Sequence, residues 1–324
     1  MKRIVINYQN EQPERLDKAL SRELPQFSRR ELRKWILQGS VYLGKKRIRK
    51  QSYQLPAGQS LRIVLYPFDG ASLDALAAKI AWPSRVLYRD DHLLAIDKPA
   101  GIPTAPTRES ALHHVYAYAQ QYGVLPRSFF PFHRLDKDTT GVLLIPLNKR
   151  MATALNRMIK SGELHKRYWL VARGIPPADE WEVKGYLSPP RGNPRKVRFS
   201  AKPAPGYRQS LTRFRVLAVN ESQQLTLIEA EPVTGRTHQI RISAEVSGLS
   251  ILGDPLYGSA EPPEPQTPML LHCLEISFRH PVVKEQVRIQ ASLPDDFQRR
   301  IRASFDDIGT GEEKVKDQRS KIKD

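Results

Sequence analysis

Apolar positions recur at helical spacing near the start of the chain. Leu16, Ala19, Leu20 and Leu24 share one face of a helix expected over residues 14–24, and Leu32, Trp35 and Ile36 repeat the spacing in a second. Ser28 with Glu31 three residues on forms a capping box before that second helix, and Gly39 is a plausible stop. The opposite face carries Arg29, Arg30, Arg33 and Lys34. The period then changes: Val41–Leu43, a turn through Gly44, the run Lys45–Lys50 and Leu61–Leu65 read as strands of a small sheet. Residues 1–67 are expected to form a small α+β module, followed by a linker over 68–83 with a short alanine-rich helix.

From Ser84 onward strand patterns dominate. Arg85–Tyr88 and Leu93–Asp97 read as strands joined at Asp90-Asp91, and Lys98-Pro99-Ala100-Gly101 forces a loop. Val142-Leu143-Leu144-Ile145, bounded by Gly141 and Pro146, has the form of a buried strand. Met151, Leu155, Met158 and Ile159 mark a helix over Lys149–Lys160, and strands follow at Lys166–Val171, Thr212–Ala218 and Leu225–Ala230. Thr237 is placed to cap a helix through Ile240 and Ala244, from which Arg241 projects. Interspersed helices without regular βα alternation indicate an α+β domain on a largely antiparallel sheet, spanning residues 84–303. Residues 304–324, polar and charged, are expected to be a disordered tail.

Charge narrows the partner. The 52 Lys and Arg against 34 Asp and Glu give a net charge of +18, which points to a polyanion, with nucleic acid first. Residues 1–70 hold fifteen basic and six acidic side chains, so half of that charge lies in about a fifth of the chain. The basic helix face, continued by Lys45 and Lys46 in the hairpin, is a candidate RNA contact; the alternative is a merely solvated charged face. An anionic membrane is a weaker partner, because no basic amphipathic segment has a large aromatic face. No run of about eighteen apolar residues could span a bilayer, and the start lacks a signal-peptide core. The single cysteine, Cys273, reads as a core thiol and fits a reducing compartment. The protein is expected in the cytoplasm, as a monomer.

Candidate chemistry concentrates in residues 131–141. Asp136 lies between Arg134 and Lys137 in a loop carried by the buried strand, with Thr139 and Thr140 before Gly141. On composition alone an Asx turn leading into a strand accounts for it. His113 and His114 have no Cys or carboxylate partners in sequence and read as a surface turn of a helix, not metal ligands. The proline-rich basic loop 187–198 either flanks an RNA cleft or is plainly solvated.

The run His133-Arg134-Leu135-Asp136 followed by Thr139-Thr140-Gly141 resembles the HRLD signature of the RluA branch of pseudouridine synthases. Thr234-Gly235-Arg236-Thr237-His238-Gln239-Ile240-Arg241 resembles a second motif of that family, and Gly253–Gly258 and Leu270–Leu274 continue the pattern in order. The likeness covers roughly residues 84–295, although the family more often has Asn where Asp97 stands and the 111–122 stretch departs from it. It implies the pseudouridine synthase fold and isomerisation of a flipped uridine in RNA, without metal, nucleotide or redox cofactor. Asp136 would act at the ribose, as nucleophile or base. Arg241 would pair with it, and Tyr168, on a lysine-x-tyrosine strand, would stack on the uracil and could relay a proton. Arg134 would fill the gap left by the flipped base, with further substrate contacts from His133, Thr140, Arg236 and Gln239. Residues 13–67 resemble the alpha-L RNA-binding motif of a small-subunit ribosomal protein, which implies contacts to structured ribosomal or transfer RNA.

Two other readings remain at this level. Asp136, Asp138 and Asp254 could hold Mg²⁺ in a nuclease, or the basic module could serve a non-catalytic ribosome-assembly protein.

Overall fold

The computed structural model describes residues 4–9, 11–44, 46–58, 60–65, 71–107, 112–191, 196–257 and 268–305. Lys45, the centre of the basic loop at 192–195 and the tail from 306 lie outside them. The chain forms two compact units, one of Met1–Pro83 with Ile102–Leu125, the other of Ser84–Gly101 with Pro126–Asp324.

In the first unit the helices Leu16–Glu23 and Arg29–Leu37 sit with a four-stranded antiparallel sheet of Ile4–Tyr8, Leu61–Leu65, Val41–Leu43 and Lys46–Ile48. The expected stripes are buried: Leu16, Ala19, Leu20, Leu32 and Ile36 share a core with Tyr8, Val41, Ile63 and Leu65. The capping box is present, with Ser28 accepting from the Glu31 amide and Glu31 from the Ser28 amide. Arg29, Arg30, Arg33, Lys34 and Lys46 are exposed, so the helix presents a basic face opposite its buried one.

His113 and His114 depart from expectation: both are buried, not on a surface turn. His114 caps the helix Val115–Gln121 through the Ala117 amide. His113 lies 3.0 Å from each of Gln38, Asp74 and Tyr118. Gln38 and Asp74 are 75 and 39 residues away in sequence, so no local pattern announces these contacts.

The second unit is built on an eleven-stranded sheet. Every pairing along it is antiparallel save that of Leu271–Arg279 with Thr140–Pro146, where His272 faces Thr140 and Cys273 faces Gly141. The mixed, largely antiparallel α+β architecture is the one expected. Thr140–Pro146 is buried throughout, as its unbroken apolar run requires. Alternation along His165–Arg173 divides its side chains between two cores: Tyr168, Leu170 and Ala172 join the larger one, while Trp169 and Val171 pack with the helix Asp295–Ser304. The helix Lys149–Ser161, capped by Asn148, covers the larger core with Met151, Leu155 and Met158. No helix among the described residues is long and apolar enough to cross a membrane.

Candidate active site

The loop bearing Asp136 is fastened from beneath. Lys98, at the end of the strand Leu93–Lys98, is fully buried, and its ammonium donates to the carbonyls of Pro99 and Lys137 at 2.8 Å and of Thr139 at 2.9 Å. Burial pulls its pKa down to about 7, against the attraction of Asp138, Asp136 and Asp97. Leu135 points into the core. His133 accepts the Leu144 amide at 2.9 Å, and burial holds its ring neutral with a pKa of about 3. At the strand entry Gly141 has φ +103, and a Cβ there would collide with the Cys273 carbonyl. Only glycine permits that approach. Thr140 lies 2.7 Å from His272 Nδ1, and His272 Nε2 lies 3.2 Å from the Ala291 carbonyl. With the ring neutral, Nε2 donates and Nδ1 accepts from the threonine hydroxyl.

The helix Gln239–Val246 brings Arg241 to that loop. Its guanidinium donates from Nε and Nη2 to both oxygens of Asp254, each at 2.6 Å, and from Nη1 to Asp136 Oδ2 at 3.1 Å. Asp254 also accepts the Leu256 and Tyr257 amides. Burial alone would lower the arginine pKa, but Asp254 and then Asp136 outweigh it, so the cation is held more firmly than usual. Asp136 itself remains about one-fifth exposed, whereas the Asp254 side chain is fully enclosed. One carboxylate anchors the arginine, and the other is offered to the outside.

The helix start differs from expectation. Its N-cap is His238, at φ +54, and Thr237 makes no cap. Gln239 takes over: its side-chain oxygen accepts from Thr234 and from the Arg236 amide, and its nitrogen donates to Leu211 and Thr212. Thr237 instead accepts from Arg134 at 2.6 Å, bridging the two motifs. His238 Nε2 comes 3.9 Å from Asp136, while its Nδ1 is 2.9 Å from the Tyr257 hydroxyl. That hydroxyl also accepts the Val197 amide. Burial lowers the His238 pKa, which keeps the ring neutral.

The chain has known relatives. The family model described as RNA pseudouridylate synthase matches residues 92–245, and the S4 domain model matches residues 14–61. The chain is 31% identical over 324 residues to ribosomal large subunit pseudouridine synthase C of Escherichia coli O157:H7, covering 92% of this chain and 95% of that protein. It is 30% identical over 309 residues to ribosomal large subunit pseudouridine synthase D of Xanthomonas campestris pv. campestris, covering 90% and 89%. The chain belongs to the RNA pseudouridine synthase family. Such enzymes are isomerases, and uridine within RNA is what they act on. The fold agrees: human RNA pseudouridylate synthase domain containing 4 superposes with a TM-score of 0.56 at 22% identity, over 72% of this chain and 96% of that one.

Against the synthase motifs, the residues singled out from sequence divide into two groups. Asp136, Arg241 and Tyr168 gather, with Tyr168 in electrostatic reach of Asp136. Arg134 is exposed beside them. His133, Thr140 and Gln239, grouped in sequence with substrate contacts, have their side chains bonded to protein. Arg236 reaches the Gln209 carbonyl at 3.0 Å. Sequence reasoning missed Asp254 as the anchor of Arg241, and with it His238 and Tyr257. All three stand within the family motifs, but their pairing is not visible there. The nuclease alternative needed Asp136 and Asp254 to share a cation; a guanidinium lies between them.

The Tyr168 hydroxyl donates to the Cys273 thiol, and burial with that bond raises its pKa well above the usual tyrosine value. The same burial pushes the thiol up to about 12.

Proposed function

We propose that this synthase acts on structured ribosomal RNA of the large subunit, using Asp136 as the catalytic carboxylate on a uridine flipped out of its stack. The observation that carries the reading is the Asp136–Arg241–Asp254 arrangement. Arg241, locked by Asp254, presents one N–H to a carboxylate that alone among the three is open to a ligand. The fixed cation orients the Asp136 carboxylate for attack at C1′ or proton removal at C2′. Flipping costs a few kcal/mol, met by phosphate contacts and by stacking on Tyr168, while Arg134 fills the vacated space. The relatives named for the large ribosomal subunit support the target. Arg29, Arg30, Arg33, Lys34, Lys45 and Lys46 supply backbone contacts that position the RNA without reading it. The reading is of a monomer that works in the cytoplasm, where it would meet ribosomal RNA.

Asp136→Asn should abolish isomerisation yet leave RNA affinity within a few fold, because one carboxylate adds little to backbone binding. Pseudouridine mapping of cellular RNA with wild type, with the variant and without the protein tests both the residue and the target. Residual turnover near the wild-type rate would overturn the assignment, and loss of a transfer RNA pseudouridine alone would overturn the target.

A further inference from the structure

Lys166 lies on the strand His165–Arg173, two residues before Tyr168 and on the same face. It is 7% exposed, and its side chain makes no hydrogen bond or ion pair with any described residue. Lys98 shows what an enclosed ammonium in this chain otherwise has, three carbonyl acceptors. The surroundings of Lys166 are specific. It acts electrostatically on His133, three residues before Asp136, and on Cys273, which holds the Tyr168 hydroxyl. A Cβ on Gly235, in the loop leading to His238 and Arg241, would stand 3.8 Å from its Nζ. The ammonium thus faces both motif loops and the stacking tyrosine, without a partner of its own among the described residues. Its nitrogen is not among the fully enclosed polar atoms that lack a partner, so the ammonium reaches solvent beside the motif loops and can take an acceptor that arrives with the substrate.

We propose that Lys166 is a substrate-contacting group that donates a hydrogen bond to a carbonyl oxygen of the uracil and stabilises the charge the base carries when detached. The inference rests on Asp136 and Tyr168 holding the roles given above. When the N1–C1′ bond breaks, its electron pair leaves with the base, whose negative charge spreads over N1, O2 and O4. Lys166 keeps its proton and forms no covalent bond. The anion then attacks C1′ through C5, and the C5 proton is lost as N1 regains one. A phosphodiester follows the surface, whereas the flipped base is the part of RNA that enters to this depth. Burial lowers the Lys166 pKa, consistent with a donor whose charge is compensated only in the complex.

The test uses full-length protein under single turnover with saturating RNA. Lys166→Met keeps the stem and removes the charge. We expect about a 100-fold lower rate, RNA affinity within threefold, and a thermal midpoint close to that of wild type, since no described residue loses a hydrogen bond. Replacing the target by 5-fluorouridine, whose base bears negative charge more readily, should narrow the gap between variant and wild type in loss of the original nucleoside. A wild-type rate in the variant, an equal loss with both substrates, or a lowered midpoint would each overturn the proposal. Asp136→Asn run alongside separates the two readings. If it is inactive while Lys166→Met is fast, only the uracil contact fails; if it is active, the site assignment itself fails.

Discussion

Arg241 is held by Asp254, through two hydrogen bonds of 2.6 Å, more tightly than by Asp136, which it meets at 3.1 Å. The enclosed pair acts as a fixed mount, and the longer bond is the working one. Asp254→Asn keeps the shape but deprives a buried guanidinium of its counter-charge, which costs about 3–5 kcal/mol in such pairs. We expect lower stability in urea titrations and a fall in kcat larger than any rise in KM. An Asp254→Asn enzyme with wild-type kcat would show that the mount is dispensable.

Removing the cation has a different signature. Arg241→Met takes from Asp136 the N–H that orients it and leaves Asp254 buried without its partner. The single-turnover rate should fall by about tenfold or more, with RNA affinity within a few fold. Arg241→Lys should restore part of the loss, since charge survives while the planar fork is lost. A wild-type single-turnover rate in Arg241→Met would sink the pairing.

These pairings show where sequence reading succeeds and stops. Asp136 and Arg241 stand in long contiguous motifs, and the second helix of the first unit is legible because its capping box and apolar stripe are local. Asp254 is visible as a carboxylate in a family stretch but fits equally among possible metal ligands, because nothing in a sequence says which way a side chain on a loop points. Lys98 reads as part of a segment that forces a loop; that its ammonium ties down Lys137 and Thr139 depends on strands brought together across 39 and 41 residues. His113 reads as a surface residue for the same reason, since its partners Gln38 and Asp74 lie 75 and 39 residues away. Periodicity describes an element against an average interior, and it is silent on which polar groups meet there.

Lys98 leads to a prediction of its own. Lys98→Met would leave three carbonyls without their shared donor, and unsatisfied buried acceptors cost about 1–3 kcal/mol each. Stability should fall by at least about 2 kcal/mol, and because two of those carbonyls belong to the loop just after Asp136, kcat should fall as well. A variant melting like wild type would show that the loop is held by other means.

Acid should loosen the strand entry. Burial lowers the His272 pKa to about 4, against about 6.5 in the unfolded chain. Above pH 6.5 both states are neutral and the group is silent. Below it the unfolded chain takes up a proton that the folded one refuses, so stability falls progressively towards pH 4, by about 3 kcal/mol from this residue. His272→Asn should flatten that part of the stability profile, whatever it costs at neutral pH. Equal acid sensitivity in variant and wild type would mean that His272 is not the group responsible.

The basic helix makes the last prediction. Arg29, Arg30, Arg33 and Lys34 are exposed along one face of Arg29–Leu37, whose opposite face is buried in the core. Changing all four to glutamine leaves Leu32, Trp35 and Ile36 in place, so the unit should still fold. If each cation displaces a counterion from an RNA phosphate, the slope of log affinity against log salt should become shallower by roughly 0.7–0.9 for every cation removed. Binding should weaken at low salt and converge on wild type as salt rises. The modified position should not change, because phosphate contacts position the protein and carry no sequence information. A slope equal to that of wild type would mean that this face is only solvated, and that the remaining positive charge of the chain carries the RNA.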